Sequence, residues 1–177
     1  NQRSSCEGWC KEMNSPYEGK FYISQGFTLT KHDGLDLVGY DSKMIHSTVN
    51  GTVHYAGYEN NDDKKQGFGL FVCIKDDANG YYYYFGHLSE VKVKTGDRVH
   101  VTDIIGREGS TGYSTGSHLH YEIRKTFMKN SPANVVDVCA FSGIPNKPGY
   151  TFDDGYRTPD TNVKKLKVML NDTVIFE

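Results

Sequence analysis

The sequence predicts an all-β domain. Short runs of alternating apolar and polar residues are bounded by Gly, Asn and Asp, the pattern of strands joined by turns. Tyr, Phe, Val, Ile and Thr are plentiful, and 19 glycines punctuate the chain. Sustained apolar spacing of the helical kind is hard to find.

The elements follow in order. Residues 1–19 are polar, contain Trp9, Pro16 and Gly19, and read as a linker or lead-in. Residues 21–23 are a first strand, ended by Gly26. Residues 35–38 form another, and 51–57 lie between glycine turns. Residues 60–66 make a charged loop, and 68–74 are apolar enough to be a central strand. Asn79-Gly80 is a hairpin signal that pairs 81–85 with 70–74. Residues 91–94, a turn at Thr95-Gly96-Asp97, and 99–105 come next. Residues 106–116 hold four glycines and four Ser or Thr residues and read as a mobile loop. The last strand of this block is 119–123. Residues 135–141 are compatible with a short helix or a strand, closed by Pro145, Pro148 and Gly149. The tail alternates around Asn171-Asp172 as a hairpin would, and a lone hairpin is marginal in water. The expected organisation is a lead-in at 1–19, one domain at 20–150, and at 151–177 a linker with the start of a further module.

Bulk properties narrow the function. A length of 177 residues suits one domain with a short appendage. A net charge of -2 offers no basic excess for nucleic acid. No apolar run approaches the ~20 residues that span a bilayer. The first residue is Asn1 with no leader pattern, so the chain is expected to start inside a longer protein or after processing. The four cysteines are Cys6, Cys10, Cys73 and Cys139, and only Cys6 and Cys10 are close in sequence. A structural zinc site usually needs a second close pair, and disulfides are not expected. Cys73, within an apolar run, reads as a buried inert thiol.

The seven histidines carry the chemistry. His32 and Asp36 are four apart with Gly34 between them, which disfavours a helix. Even spacing in an extended segment places both on one face, and both are ordinary zinc ligands. Alone, the pair is a weak signal, and a surface histidine near acidic residues is the commoner explanation. His118 and His120 share one strand face while Leu119 points into the core. Two imidazoles crowded there make sense if one binds metal and the other acts beside it; the plain alternative is a half-exposed edge strand. His87 stands at a strand end, where loops present functional groups. His46, His54 and His100 lack such company and read as solvated or satisfied strand residues. Tyr81 to Tyr84 read as strand tyrosines facing core and solvent in turn, rather than as a sugar platform.

Three motifs in order resemble those of the lysostaphin/LytM-type zinc endopeptidases, a family of peptidoglycan hydrolases. They are His32-Asp33-Gly34-Leu35-Asp36, Gly86-His87-Leu88-Ser89 and His118-Leu119-His120. Asn50-Gly51-Thr52-Val53 and Val93-Lys94-Thr95-Gly96-Asp97-Arg98-Val99 fit the intervening pattern, and the likeness covers about residues 23–126. Gly86 stands where alanine is common. The resemblance implies a compact antiparallel β-sheet domain with long loops walling a groove. It implies one zinc ion on His32, Asp36 and His120, with His87 and His118 catalytic. It also implies an extracellular, wall-associated or phage-borne hydrolase of peptidoglycan peptides, working as a monomeric domain of a longer protein. No ligand of that set is missing, which matters because some relatives have lost ligands and act only as activators or binding modules. Two other readings remain: a silent wall-binding or tail module of the same fold, and a phosphocarrier domain with paired histidines, which has no use for Asp36.

Overall fold

The computed structural model of the chain describes residues 15–128 and 131–157. In chain order the elements are β1 (Phe21–Gln25), β2 (Gly34–Gly39), β3 (Met44–His46), β4 (Gly51–Tyr58), β5 (Leu70–Asp76), β6 (Tyr82–Gly86), β7 (Glu90–Val91), β8 (Arg98–Val99), β9 (Ile104–Arg107), β10 (Leu119–Arg124), β11 (Val135–Val136), α1 (Val138–Ser142) and β12 (Thr151–Phe152). The main sheet runs β12-β1-β2-β10-β6-β5-β4-β8, with β11 added beside β10. A second sheet runs β3-β9-β7. Every pairing is antiparallel. No helix among the described residues is long and apolar enough to cross a membrane.

Alternation along the strands builds the core. Leu35 and Leu37 of β2, Val72 and Ile74 of β5, and Leu119, Tyr121 and Ile123 of β10 all pack into one apolar cluster. The opposite face of β5 and β6 carries Phe71, Cys73 and Tyr84, fully or nearly fully buried under Phe68 and Phe127. Tyr83 faces the main core as the alternation requires, but Tyr84 does not face solvent as expected from the sequence. It lies in a second aromatic layer because Phe68, from the loop before β5, stacks 5.2 Å from it. Full burial of such a side chain contributes roughly 1.5–3 kcal/mol, and half-buried Phe68 gains part of that by docking its loop on the sheet.

Three elements differ from the sequence expectation for local reasons. Residues 99–105 do not form one strand. Asp103 accepts the His100 N–H at 2.8 Å, Thr102 takes a φ of 81°, and the turn sends β8 and β9 to different sheets. Residues 135–141 contain both candidates, since Asp137 ends β11 and caps α1 by accepting the Cys139 N–H at 2.9 Å. The β5–β6 hairpin has the expected pairing, Val72 opposite Phe85, but a loop longer than Asn79-Gly80 alone. Asp76 shapes it by accepting the Ala78 N–H at 3.0 Å, and Gly80 takes a φ of 73°.

The packed body extends beyond the limits drawn from composition. Tyr17 is fully buried and stacks on Phe21 at 5.4 Å. At the other end β12 pairs with β1, and buried Asp154 accepts the Ser15 hydroxyl at 2.6 Å. Cys6, Cys10 and the hairpin expected around Asn171-Asp172 lie outside the described residues. Cys73 is a buried free thiol and Cys139 a half-buried one.

Candidate metal centre

The β2–β10 register sets Asp36 directly opposite His120, though 84 residues separate them. Paired residues of adjacent strands present their side chains on the same face. His32 comes from the turn before β2, which is closed by reciprocal backbone bonds between Thr28 and His32 at 2.8 and 2.9 Å. The three ligand atoms lie within 4.8 Å of one another. Asp36 Oδ1 stands 3.1 Å from His32 Nε2 and 2.9 Å from His120 Nδ1.

The donor set fits a divalent ion. Two imidazole nitrogens and one carboxylate oxygen are an established zinc combination. The far nitrogen of each ring already has an acceptor, which frees the near nitrogen to ligate. His32 Nδ1 donates to the Gly26 carbonyl at 2.8 Å, and His120 Nε2 meets Glu122 Oε2 at 3.0 Å. Gly34 shapes the same spot, because a Cβ there would stand 2.8 Å from His120 Nε2 and 2.6 Å from the Tyr121 carbonyl. Burial works against the Asp36 charge, but hydrogen bonds from His120 and His32 outweigh it and hold the carboxyl well below its usual range. In His120 burial opposes protonation, yet the Asp36 and Glu122 carboxylates prevail and lift the imidazole to about 9.

His87 and His118 complete the cluster. His87 follows β6 with a φ of 63°, an uncommon conformation for a non-glycine residue. Its N–H bonds to the Phe68 carbonyl at 2.7 Å, and Nδ1 donates to the Thr111 carbonyl at 2.8 Å. The unprotonated Nε2 therefore faces the groove. Burial, together with His120 and His118 nearby, pushes His87 down to about 4, so its ring is neutral at ordinary pH. His118 donates from Nδ1 to the Gly116 carbonyl at 2.8 Å, and its Nε2 stands 3.7 Å from Asp36 Oδ2. The His87 and His118 ring centres are 4.7 Å apart.

These five side chains form the floor of an open groove of about 620 Å³. Lys31 and Asp33 line it with Glu59, Phe68 and the 113–115 segment. The glycine-rich 106–116 segment, expected to be mobile, is tied to the 58–69 loop. Gly112 N–H donates to the Lys64 carbonyl at 3.0 Å, Tyr113 N–H to the Gly67 carbonyl at 2.9 Å, and Leu70 N–H to Thr111 Oγ1 at 3.0 Å. Gly69 and Gly112 have φ values of 63° and 75°, and each backbone occupies the space a Cβ on the other would need. The glycines serve close approach of two loops here rather than freedom.

His46, His54 and His100 stay outside the site. His46 is buried with Nδ1 on the Thr102 carbonyl at 2.7 Å, His54 packs against Phe127, and His100 is exposed. Sequence reasoning missed three supporting residues: Glu122, Arg124 and Glu108. Glu122 and Arg124 continue the alternation of His118 and His120 on one strand face, a signal present in the sequence. Glu108 had no such signal. It is buried and accepts from Tyr17, Gly39, Lys43 and Ser117 at 2.7–2.8 Å, bracing the segment that leads into His118.

Known proteins resemble this chain in sequence and fold. The chain is 32% identical over 123 residues to Stage II sporulation protein Q of Bacillus subtilis (strain 168), covering 68% of this chain and 39% of that protein. It is 30% identical over 129 residues to glycyl-glycine endopeptidase ALE-1 of Staphylococcus capitis, covering 72% of this chain and 34% of that protein. It thus spans less than half the length of the curated relatives it matches. Among solved structures, the catalytic domain of the antimicrobial peptidase lysostaphin from Staphylococcus simulans superposes with a TM-score of 0.56 at 28% identity, covering 71% of this chain and 92% of that one. Residues 30–135, which contain His32, Asp36, His87, His118 and His120, match the family model for peptidase family M23, and the chain belongs to that family.

Proposed function

We infer that the protein is a zinc metalloendopeptidase that hydrolyses peptide cross-links or bridges in bacterial peptidoglycan. The observation that carries this reading is the convergence of His32 Nε2, Asp36 Oδ1 and His120 Nδ1, with His87 and His118 beside them on the groove floor. The names of two relatives, a glycyl-glycine endopeptidase and an antimicrobial peptidase, support a peptide bond as the target. Action on wall peptidoglycan implies work outside the cytoplasm.

His32, Asp36 and His120 would hold one zinc ion, which when bound would supply a Lewis acid for the scissile carbonyl and lower the pKa of bound water to about 7. The chain's own residues then move the protons. The Gly116 carbonyl fixes the His118 proton on Nδ1 and leaves Nε2 as an acceptor. A proton gained there lies opposite the Asp36 carboxylate at 3.7 Å, so His118 is the general base. Among the described residues His87 makes no ion pair with a carboxylate, and its environment disfavours a lasting positive charge. The Thr111 carbonyl holds the His87 proton on Nδ1, so His87 steadies the oxyanion and protonates the leaving amine only once Nε2 has gained a proton; the proton that His118 takes from water, passed between rings whose centres are 4.7 Å apart, supplies it. The groove walls hold the peptide across these groups.

The test compares His118→Ala and His120→Ala for zinc content and for hydrolysis of purified peptidoglycan. The expected result is zinc retained with turnover reduced by roughly 10²–10⁴-fold in His118→Ala. In His120→Ala, both metal and turnover should be lost. Full activity in either variant rejects the site. A wild-type protein that binds zinc and wall but releases no fragments is instead a silent binding module.

A further inference from the structure

The groove-facing row of β10 does not stop at His120. Alternation carries Glu122 and Arg124 onto the same side, and both are buried, Glu122 with 1% of its surface exposed. Glu122 Oε2 meets His120 Nε2 at 3.0 Å, and its other oxygen accepts from Arg124 Nε. The Arg124 guanidinium lies against the rings of Phe68 and Tyr84, 5.3 and 5.1 Å from their centres. Taking two charges out of water beneath a groove is costly, and a hydrophobic pair of equal volume often serves stability as well. The pair therefore calls for a task beyond packing.

The two imidazoles of the metal centre are supported unequally. His32 leans on a neutral carbonyl, that of Gly26, whereas His120 leans on a full carboxylate. A histidine whose far N–H donates to a carboxylate is fixed in tautomer and orientation and is a more basic ligand at its near nitrogen. Asp36 holds the ring only at Nδ1, and the neighbouring His32, Phe68 and His87 rings, with centres 5.0, 5.6 and 5.9 Å away, make contacts without a bond to Nε2. Arg124 engages the second oxygen of Glu122 and so keeps the carboxylate from turning away.

Building on His120 as a metal ligand, we propose that Glu122 is a positioning residue of the metal centre. It holds His120 as the Nε2–H tautomer with Nδ1 directed at the ion, thereby tightening zinc binding, and Arg124 is its fixed counter-charge. Glu122 acts through His120 and takes no proton from substrate.

The experiment measures zinc affinity by competition with a chromophoric chelator for the wild type, Glu122→Gln and Glu122→Ala. Melting of the metal-free proteins is followed in parallel. A loss of 10–100-fold in affinity is expected for Glu122→Ala. A smaller loss is expected for Glu122→Gln, whose amide oxygen still accepts from the imidazole. Val72→Ala, in the main core on the far face of the sheet, is the control for destabilisation alone and should keep the wild-type affinity. Unchanged affinity in Glu122→Ala overturns the proposal, as does an equal loss in Val72→Ala. A second measurement needs no substitution: long-range proton–nitrogen NMR of the zinc-loaded wild type should show His120 protonated at Nε2. Protonation at Nδ1 overturns the proposal even if the variants fail to fold. A wild type that binds no zinc removes the metal centre itself, whereas zinc-binding variants with wild-type affinity remove only the role of Glu122.

Discussion

At the scale of single residues, the site depends on groups that never touch the substrate. Gly34 is the clearest case, because a methyl group there meets the His120 ring and the Tyr121 carbonyl together. Gly34→Ala should weaken zinc binding by at least about tenfold and destabilise the protein by roughly 1–3 kcal/mol, as overpacking does. Chelator competition and urea unfolding measure the two effects; wild-type values for both would refute the close fit. His87 makes a different prediction. Its ring sits beside the ligand set and is not part of it, so His87→Ala should keep one zinc per chain while turnover falls by about 10²-fold or more. Metal analysis with a fragment-release assay checks this, and loss of the metal would place His87 among the ligands.

At the scale of elements, two relationships build the centre. The β2–β10 register puts Asp36 opposite His120, and a slip of one residue would turn Leu35 or Leu37 to the groove instead. The second relationship is the bond between two loops. Thr111 accepts from Leu70 N–H at 3.0 Å and donates to the Leu88 carbonyl at 2.8 Å, bridging the start of β5 and the residue after His87. Thr111→Val keeps the shape and removes both bonds. Leaving a fully buried amide unpaired costs about 1–3 kcal/mol, an upper bound for the half-buried Leu70, and Thr111 is close enough to His87 for catalysis to suffer too. The expected outcome is a lower urea midpoint and faster exchange of the Leu70 amide, read by hydrogen-exchange NMR. Unchanged protection at Leu70 would show that the loops do not depend on each other.

At the scale of the whole molecule, the ends of the packed body brace the site from behind. Tyr17 reaches across the core to Glu108, which also holds Ser117, next to His118. Tyr17→Ala should cost about 3–5 kcal/mol, in the range for large aromatic truncations, measured by chemical unfolding. Glu108 adds a dependence on pH. Burial raises its pKa, but bonds from Lys43, Tyr17, Gly39 and Ser117 outweigh burial and leave it below the ordinary glutamate value. A carboxyl depressed by folding contributes stability above its unfolded pKa and loses it as pH falls through the folded one. Wild-type stability should therefore decline below the ordinary carboxylate range, and Glu108→Gln should show a shallower decline. Urea midpoints between neutral pH and pH about 3 decide this, and parallel curves would mean that Glu108 is not the group responsible.

The sequence by itself determined the strand pattern, because a period of two is written locally in pairs such as Leu119 and Tyr121 against His118 and His120. It also singled out His32, Asp36, His87, His118 and His120, because three motifs in order together resemble those of one peptidase family, while each alone has a plain alternative. Sequence fell short where neighbours far along the chain set the outcome. Tyr84 is buried because Phe68 folds over it, the 106–116 segment is tied because Gly69 and Gly112 approach each other, and Glu108 matters because Tyr17 arrives from 91 residues away. Only the tertiary structure decided that Asp36 and His120 face each other and that Glu122 stands behind the second of them. Periodicity fixes which face a side chain takes, whereas strand pairing across long loops, driven by burial of the whole core, fixes what it meets there.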